Sequence, residues 1–253
     1  MCSILALLDS PLPSDEARSL AVRLSGLQRH RGPDWSGVYQ AEGVVLAHER
    51  LAIVDVQHGA QPLRSTDGDL ALAVNGEIYN HRELRGALDR PYEFQTDSDC
   101  EVILGLYRER GCDFLSDLVG IFAFVLHDRA SQRFVVARDP MGVIPLYMGR
   151  DESGTLYVAS EMKALAPVVK TVEVFPPGHV LDSADGEIRP YVAPQWKSYD
   201  AVAGAPAKPA ALREALRSAV ERQLMTDVPY GVLLSGGLDS SVIAATAQDL
   251  SGK

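Results

Sequence analysis

The sequence lacks the features that mark several large classes of protein. Its 253 residues include only three cysteines, Cys2, Cys100 and Cys112, which are too few and too scattered for a disulfide framework or a zinc site. Acidic residues outnumber basic ones by 34 to 24, and the net charge of −10 argues against a general nucleic-acid-binding protein. The spacing of the histidines indicates no metal site.

Long apolar runs are absent as well. None approaches the ~20 residues that a membrane-spanning helix needs. The first apolar stretch, MCSILALLDS, has no basic segment before it and no cleavage site after it, so it is unlike a secretory signal. We therefore expect a cytoplasmic protein that binds neither nucleic acid nor membrane.

The residues up to about position 190 indicate a mixed α+β domain. Apolar spacing predicts a helix over 14–27, capped by Ser14, and another over 98–110, ended by Gly111. Short stretches rich in Val, Ile, Phe and Tyr are typical of strands joined by hairpins. These stretches are 43–56, 70–80, 120–128, 133–139 and 155–161.

The composition changes after this region. A run rich in proline and small residues over 191–208 suits a linker, and an amphipathic helix is predicted from Pro209. An apolar strand over 230–234 is predicted to lead through the glycine loop SGGLDSS (235–241) into a further helix. This order is typical of the opening of an α/β domain. Because one strand and two helices cannot cover a parallel sheet, we expect only the start of such a domain within 209–253.

Cys2 stands out because of its position. If Met1 is removed, the new terminus carries a thiol and an α-amine on one residue, with reference pKa values near ~8.5 and ~8. The amine can then accept the thiol proton near neutral pH, directly or through a water, without a histidine partner. Position alone leaves open the alternative that Cys2 is an apolar residue at the start of a strand.

Several further motifs accompany Cys2. They are, in order, MCSI, RHRGPDWSG, AHERLAIVDV, AVNGEIYN, TDSDCEVIL, ARDPMGVIPLYM and SGGLDSS. Together they closely resemble the class II, or N-terminal-nucleophile, glutamine amidotransferases, above all the glutamine-dependent asparagine synthetases of the bacterial B type. The sequence departs from many relatives in reading Cys2-Ser3-Ile4 where they read Cys-Gly-Ile. The resemblance implies an α+β fold: a four-layer αββα N-terminal-nucleophile hydrolase sandwich over 2–190, followed by the incomplete start of an α/β ATP pyrophosphatase domain over 209–253.

The resemblance also implies roles for residues of the first domain. Cys2 would attack the side-chain amide of glutamine, release ammonia and leave a thioester that water hydrolyses, with no cofactor. The side chain of Asn75 and the backbone N–H of Gly76 would stabilise the oxyanion. Glutamine would be bound by Arg50 at its carboxylate, by Glu77 and Asp99 at its ammonium group, and by Leu51, Ala52, Ile53, Val54, Asn75 and Gly76 along its length.

Each of these residues has a plainer alternative when it is taken singly. Arg50 suits a surface ion pair, Asp99 a helix cap, and Asn75-Gly76 a hairpin turn. The motif Arg31-Gly32-Pro33-Asp34 suits a loop held by an Arg–Asp pair, although the resemblance implies a supporting place beside the glutamine pocket. Only as a set with Cys2 do these residues favour an active site.

The loop SGGLDSS is a second candidate site. Backbone N–H groups that lead into a helix N-terminus can bind an anion, but no lysine follows the glycines, so the loop is not of the GxxxxGK[ST] type. The resemblance implies a pyrophosphate loop that binds ATP, and magnesium with it, in the complete synthetase. The implied residues are Leu233 beside the adenosine, Ser235, Gly236, Gly237, Ser240 and Ser241 around pyrophosphate, and Asp239 near the loop or the metal.

For the whole protein, the resemblance implies a synthetase that converts glutamine, aspartate and ATP to asparagine. We expect the remaining ATP and aspartate contacts to lie outside these 253 residues, as in a fragment of the enzyme. Two alternatives stay open, a standalone glutaminase with a non-productive tail and a glutamine-binding regulatory subunit. A homodimer is equally open.

Overall fold

The computed structural model describes residues 1–204, 206 and 208–252. The chain forms two compact units, one of Met1–Val192 and one that begins at Ala193. The predicted linker 191–208 includes Ala205 and Ala207, and the predicted second domain ends in Lys253; these three positions lie outside the described residues. The domain bounds 2–190 and 209–253 stay predictions.

The first unit is built around two six-stranded antiparallel sheets. The strands are β1 (Ser3–Leu8), β2 (Trp35–Ala41), β3 (Val44–Arg50), β4 (Leu63–Arg64), β5 (Leu70–Ile78), β6 (Gly120–Asp128), β7 (Arg133–Arg138), β8 (Tyr147–Arg150), β9 (Leu156–Ala159), β10 (Glu173–Val174), β11 (His179–Asp182) and β12 (Ile188–Pro190). The spatial order is β10-β8-β9-β1-β3-β2 in the first sheet and β12-β11-β7-β6-β5-β4 in the second. Each strand stretch predicted before residue 190 contains a strand, although the strand within 43–56 ends at Arg50.

The described residues form fewer helices than strands. The helices are α1 (Ser14–Gly26), α2 (His81–Gly86), α3 (Val102–Arg110), α4 (Met162–Leu165), α5 (Tyr199–Val202), α6 (Pro209–Gln223) and α7 (Leu238–Ser251). The predicted helix over 98–110 begins with a 3₁₀ turn, Asp99–Glu101, before α3 starts. No helix of the described residues is both long and apolar enough to cross a bilayer.

Three buried clusters show how the layers stack. In β1, Leu5 and Leu7 pack with α1, whereas Ile4 and Ala6 pack between the two sheets. This division follows from the alternation of side chains along a strand. Residues of α3 pack with the outer face of β5 in a third cluster. The order is therefore helix, sheet, sheet, helix, which confirms the predicted αββα sandwich.

The second unit differs from its prediction at one element. The segment 230–234 was expected to be a strand, and this is wrong, since it has no strand structure and its residues are exposed. A strand needs a neighbour to pair its backbone groups, and the described part of this unit contains no other strand. What packs instead are α6 and α7, through buried Val220 and Ala247 and an Arg217–Asp249 ion pair.

Candidate active site

A single pocket collects the chemistry-bearing residues of the first unit. Its volume is about 550 Å³ when solvent at the mouth is included. It lies where the start of β1, the end of β3 and the end of β5 meet, so both facing sheets contribute. The lining includes Met1, Cys2, Arg50, Leu51, Ile53, Val54, Gly59, Gln61, Asn75, Gly76, Glu77, Ser98, Asp99, Cys100, Ile121 and Ile144.

The thiol of Cys2 is held by the backbone of Leu51. The Leu51 N–H donates to Sγ at 3.3 Å, and the thiol lies 3.4 Å from the Leu51 carbonyl, to which it can donate. Burial raises the pKa of Cys2, whereas the Leu51 N–H and the nearby charges of the N-terminus and Arg50 act in the opposite direction. Met1 lines the same pocket and is 55% exposed.

The motif at 31–34 supports Cys2 from the other side. Arg31 donates from Nε to the Cys2 carbonyl at 3.0 Å and from Nη1 to Glu161 at 3.2 Å. Asp34 accepts the backbone N–H of Ala52 at 2.9 Å. The two side chains thus bind different partners and are not the Arg–Asp pair of the plainer alternative. The motif lies beside the pocket, as the resemblance implies.

Arg50 is fixed by backbone carbonyls. Its guanidinium donates to the carbonyls of Val54, Asp55 and Val56 at 3.0, 2.6 and 3.2 Å. It is only 7% exposed, which rules out the alternative of a surface ion-pairing residue. Gly59 makes this packing possible, because a Cβ there would lie 2.7 Å from Nη2. The segment after β3 therefore wraps the guanidinium and sets its direction in the pocket.

The outer edge of β5 faces the pocket beyond the end of β4. Val74 does not bond β6, since its N–H donates to Gln61 Oε1 at 2.8 Å and its carbonyl accepts from His48 at 3.0 Å. The backbone N–H and C=O groups along a strand alternate in direction from one residue to the next. Those of Gly76 therefore point to the same edge of β5 as those of Val74. The partner of Gly76 in β6, Phe122, accordingly accepts from Asp139 on the far side at 2.8 Å.

Two hydrogen-bond donors are consequently available at this edge. The alternation directs the Gly76 N–H away from β6, and Nδ2 of buried Asn75 has no hydrogen-bond partner among the described residues. Gly76 adopts φ +145°, and a Cβ there would lie 2.1 Å from the Ile121 carbonyl oxygen, so only glycine fits. Asn75 and Gly76 lie inside a strand, which excludes the hairpin-turn alternative.

Two carboxyl groups also line the pocket, Glu77 from β5 and Asp99 from the 3₁₀ turn before α3. Burial, and secondarily the charge of Asp99, raise the pKa of Glu77 to about 7. Burial also raises the pKa of Asp99, although Oδ2 accepts the Ile78 N–H at 2.7 Å. That hydrogen bond joins the 3₁₀ turn to β5, so the Asp99 carboxyl spans two elements and does not act as a simple helix cap.

The pocket brings together all but one of the residues expected to bind glutamine or to catalyse. Ala52 is not in its lining, and its N–H is taken by Asp34. Sequence reasoning did not assign Gly59, Gln61 or Cys100 to the site, although all three line the pocket. Gly59 and Pro62 indicate a loop around Gln61, but a loop signal does not show that its side chain reaches a pocket.

The loop 235–241 is much more exposed than the pocket. Leu233 is 95% exposed, and Ser235, Gly236, Gly237 and Asp239 are exposed too. The hydroxyl of Ser240 lies 3.0 Å from that of Ser235 and donates to the Gly237 carbonyl at 3.1 Å, and Ser241 donates to the same carbonyl at 2.8 Å. No group of three or more His, Cys, Asp or Glu side chains in the described part of the chain could hold a metal ion.

Comparison with known proteins finds relatives over nearly the whole chain. A family model described as "Glutamine amidotransferase domain" matches residues 1–175, and one described as "Asparagine synthase" matches residues 211–253. The chain is 56% identical over 245 residues to asparagine synthetase B (glutamine-hydrolyzing) of Escherichia coli (strain K12), covering 97% of this chain and 44% of that protein. It is 50% identical over 247 residues to asparagine synthetase (glutamine-hydrolyzing) 2 of Arabidopsis thaliana, covering 98% and 42%.

The chain thus spans less than half the length of the curated relatives it matches. Among solved structures, it is similar to the glutamine phosphoribosylpyrophosphate amidotransferase from B. subtilis complexed with ADP and GMP. The TM-score is 0.64 at 21% identity, over 99% of this chain and 64% of that one. At this identity the likeness shows a shared fold.

Proposed function

The chain belongs to the glutamine amidotransferase domain family, and we propose that it hydrolyses glutamine to glutamate and ammonia with Cys2 as the nucleophile. The observation that carries the proposal is the pocket itself. It places the Cys2 thiol in one lining with two unused hydrogen-bond donors, a guanidinium and two carboxyl groups. A thiol with donors for an oxyanion and charged groups of both signs suits an amino-acid amide substrate.

The nucleophile depends on removal of Met1. Once the α-amine belongs to Cys2, it can accept the thiol proton within the same residue. Burial raises the thiol pKa, so a base close to Sγ matters for forming the thiolate. The hydrogen bonds of Leu51 to Sγ and of Arg31 to the Cys2 carbonyl hold the residue in place when Met1 has left.

Glutamine is proposed to bind by both ends of its amino-acid group. The Arg50 guanidinium, held by three carbonyls, pairs with the α-carboxylate. Glu77 and Asp99 accept the α-ammonium group, whose charge relieves the repulsion between the two carboxylates. These contacts leave the side-chain amide to extend toward Cys2 and the donors at Asn75 and Gly76.

The proposed reaction has two steps. The Cys2 thiolate adds to the amide carbon, and the resulting oxyanion accepts hydrogen bonds from Asn75 Nδ2 and the Gly76 N–H. The carbon–nitrogen bond then breaks, the leaving nitrogen takes a proton from the α-ammonium group of Cys2, and ammonia departs. Water adds to the thioester and the carbon–sulfur bond breaks, which gives glutamate and restores the thiol.

In a protein of the relatives' length, we propose that this ammonia converts aspartate to asparagine at the expense of ATP. When bound, ATP would activate the aspartate carboxylate as an acyl-adenylate. The loop 235–241 has donors that suit phosphate oxygens, namely serine hydroxyls and the N-terminus of the 14-residue helix α7. Binding of ATP and magnesium at this loop remains a prediction. The cytoplasmic location and the homodimer are predictions too.

The proposal is tested by measuring glutamate release from glutamine with protein whose loss of Met1 has been shown by mass spectrometry. We expect turnover from the processed chain. The matched control is the same chain with Met1 retained, which has no free amine on Cys2 and should be inactive. A processed chain that binds glutamine and releases no glutamate would contradict the proposal and leave a binding protein.

A further inference from the structure

Two side chains outside the proposed catalytic set, buried His48 and half-buried Gln61, hold the strand segment that carries the oxyanion donors. We infer that His48 and Gln61 are positioning residues, which clamp the peptide groups of Val74 and thereby orient Asn75 and Gly76 toward Cys2. The inference rests on the proposed function. It relates the contacts of His48 and Gln61 with Val74 to the oxyanion step of that reaction.

The hydrogen bonds of His48 and Gln61 to Val74 are possible because β5 extends beyond β4, its outer neighbour. β4 pairs only with Leu72 and Ala71, so the outer edge of β5 has no strand beside it from Val74 onward. An unpaired strand edge leaves backbone donors and acceptors that must find other partners when buried. At Val74 both groups are met by side chains, the N–H by Gln61 at 2.8 Å and the carbonyl by His48 at 3.0 Å.

The same edge is held again two and four residues further on. The thiol of Cys100 lies 3.5 Å from the Gly76 carbonyl, and Asp99 accepts the Ile78 N–H at 2.7 Å. The Gly76 N–H lies between these held positions and is directed into the pocket. Side chains thus fix the backbone before and after the one backbone donor of the proposed oxyanion site.

His48 is suited to hold a peptide group and not to exchange protons. It is 1% exposed, and burial lowers its pKa to about 4, so it is neutral at pH 7 and donates from Nε2. It belongs to β3, on the same strand face as Leu46, which packs between the sheets. The hydrogen bond to Val74 therefore ties the first sheet, which carries Cys2, to the second, which carries Asn75.

Gln61 holds the same residue from the segment between β3 and β4. Its backbone lies tight against β2, because a Cβ at Gly37 would be 1.8 Å from the Gln61 carbonyl oxygen. The Gln61 side chain therefore reaches the Val74 N–H from a backbone that is fixed in position. Gln61 also lines the pocket, so a change in this contact lies beside the reacting groups.

The test compares variants that lose each contact with variants that keep it, in the full chain. His48→Leu and Gln61→Met remove the donor and the acceptor at similar volume. His48→Gln keeps the donor, since the glutamine amide nitrogen is as many bonds from Cα as Nε2 of histidine. Gln61→Glu keeps an acceptor oxygen. We expect the first two to lower kcat for glutamine hydrolysis about 10- to 100-fold with KM within about threefold, and the second two to recover most of kcat.

A second readout separates positioning from general damage. Alkylation of Cys2 by iodoacetamide displaces iodide and develops no oxyanion, so its rate should stay within about twofold in all four variants. The matched control is His127→Leu, which removes another buried histidine hydrogen bond, that with Tyr39 at 3.1 Å, from the other end of β5 and β6. This control should lose thermal stability and keep kcat.

Each outcome supports or overturns the inference. Unchanged kcat in His48→Leu and Gln61→Met, or an equal loss in His127→Leu, would overturn it, as would a parallel fall in the alkylation rate. If His48→Leu does not fold, the comparison of Gln61→Met with Gln61→Glu decides the question. Wild-type protein without Met1 that releases no glutamate would overturn the proposed function and this inference together, whereas active wild type with unaffected variants would overturn the inference alone.

Discussion

The Cys2 pocket and the loop 235–241 carry equally distinctive sequence motifs and differ sharply in structure. In the pocket, the proposed catalytic groups lie next to two sheets, are buried or half-buried, and are held by residues distant in the chain. In the loop, the hydrogen bonds of the serine hydroxyls stay within the loop and the first turn of α7. The exposed Leu233, at 95%, has no apolar cover.

The difference shows that a sequence motif indicates a type of chemistry, whereas the packing of the fold positions the groups that would perform it. Asn75 and Gly76 present donors because β5 is fixed by β6 on one edge and by side chains on the other. The segment before the loop has no such neighbours in the described part of its unit, so its expected strand does not form. Variants in the pocket should therefore change activity strongly, and variants in the loop should change it little.

The largest expected effect is that of Cys2→Ala. It removes the nucleophile, so glutamate release should fall to background while the fold, followed by circular dichroism, is kept. Cys112→Ala is the matched control, because its half-buried thiol contacts Asp182 at 3.5 Å and lies outside the pocket lining. Residual turnover in Cys2→Ala comparable to that of the control would remove the basis of the contrast between pocket and loop.

Asn75→Ala is expected to come next. Loss of one oxyanion donor lowers kcat about 100-fold or more and leaves KM nearly unchanged, because the ground-state amide uses the donor less. Steady-state kinetics check this. Asn80→Ala serves as the control, since its amide bonds the Asp117 carbonyl at the surface beyond β5 at 2.9 Å. A mainly KM effect in Asn75→Ala would place the amide in substrate binding.

A smaller effect, about tenfold, is expected from the titration of Glu77. Its pKa is raised to about 7, so the carboxyl is neutral below that pH and pairs with the α-ammonium group only above it. The value of kcat/KM should therefore rise as pH increases from about 6 to 8. Glu77→Gln should lose this rise and stay low throughout. A profile unaltered by the substitution would assign the titration to another group.

The smallest effect is expected from Ser240→Ala in the loop. The hydroxyl contacts only Ser235 and the Gly237 carbonyl at a partly exposed position, so the change in unfolding free energy should stay within about 0.5 kcal/mol. Glutamine hydrolysis should change less than about twofold. A large loss of hydrolysis would show that the loop and the pocket are coupled and that the two sites cannot be treated separately.

Much of the fold could be predicted because its signals are local. Apolar strands such as 120–128 and 133–138 have strand composition along their whole length and fold as expected. The failed strand at 230–234 has the same composition, but a strand also requires a partner, and composition carries no information on that. The likeness to asparagine synthetases was legible for a different reason, since several motifs keep family order, and the comparisons confirm it.

The amino-acid sequence, through its resemblance to the amidotransferases, was enough to predict which residues perform the proposed chemistry, from Cys2 near the terminus to the Asn75-Gly76 pair. Tertiary structure was needed to establish that Asn75-Gly76 is a strand edge and not a turn, that Arg50 is buried among carbonyls, and that Ala52 is turned to Asp34. It also brought Gln61 and His48 to Val74. None of these contacts follows a periodic spacing in the sequence, and the His48 contact forms only because the two sheets pack face to face.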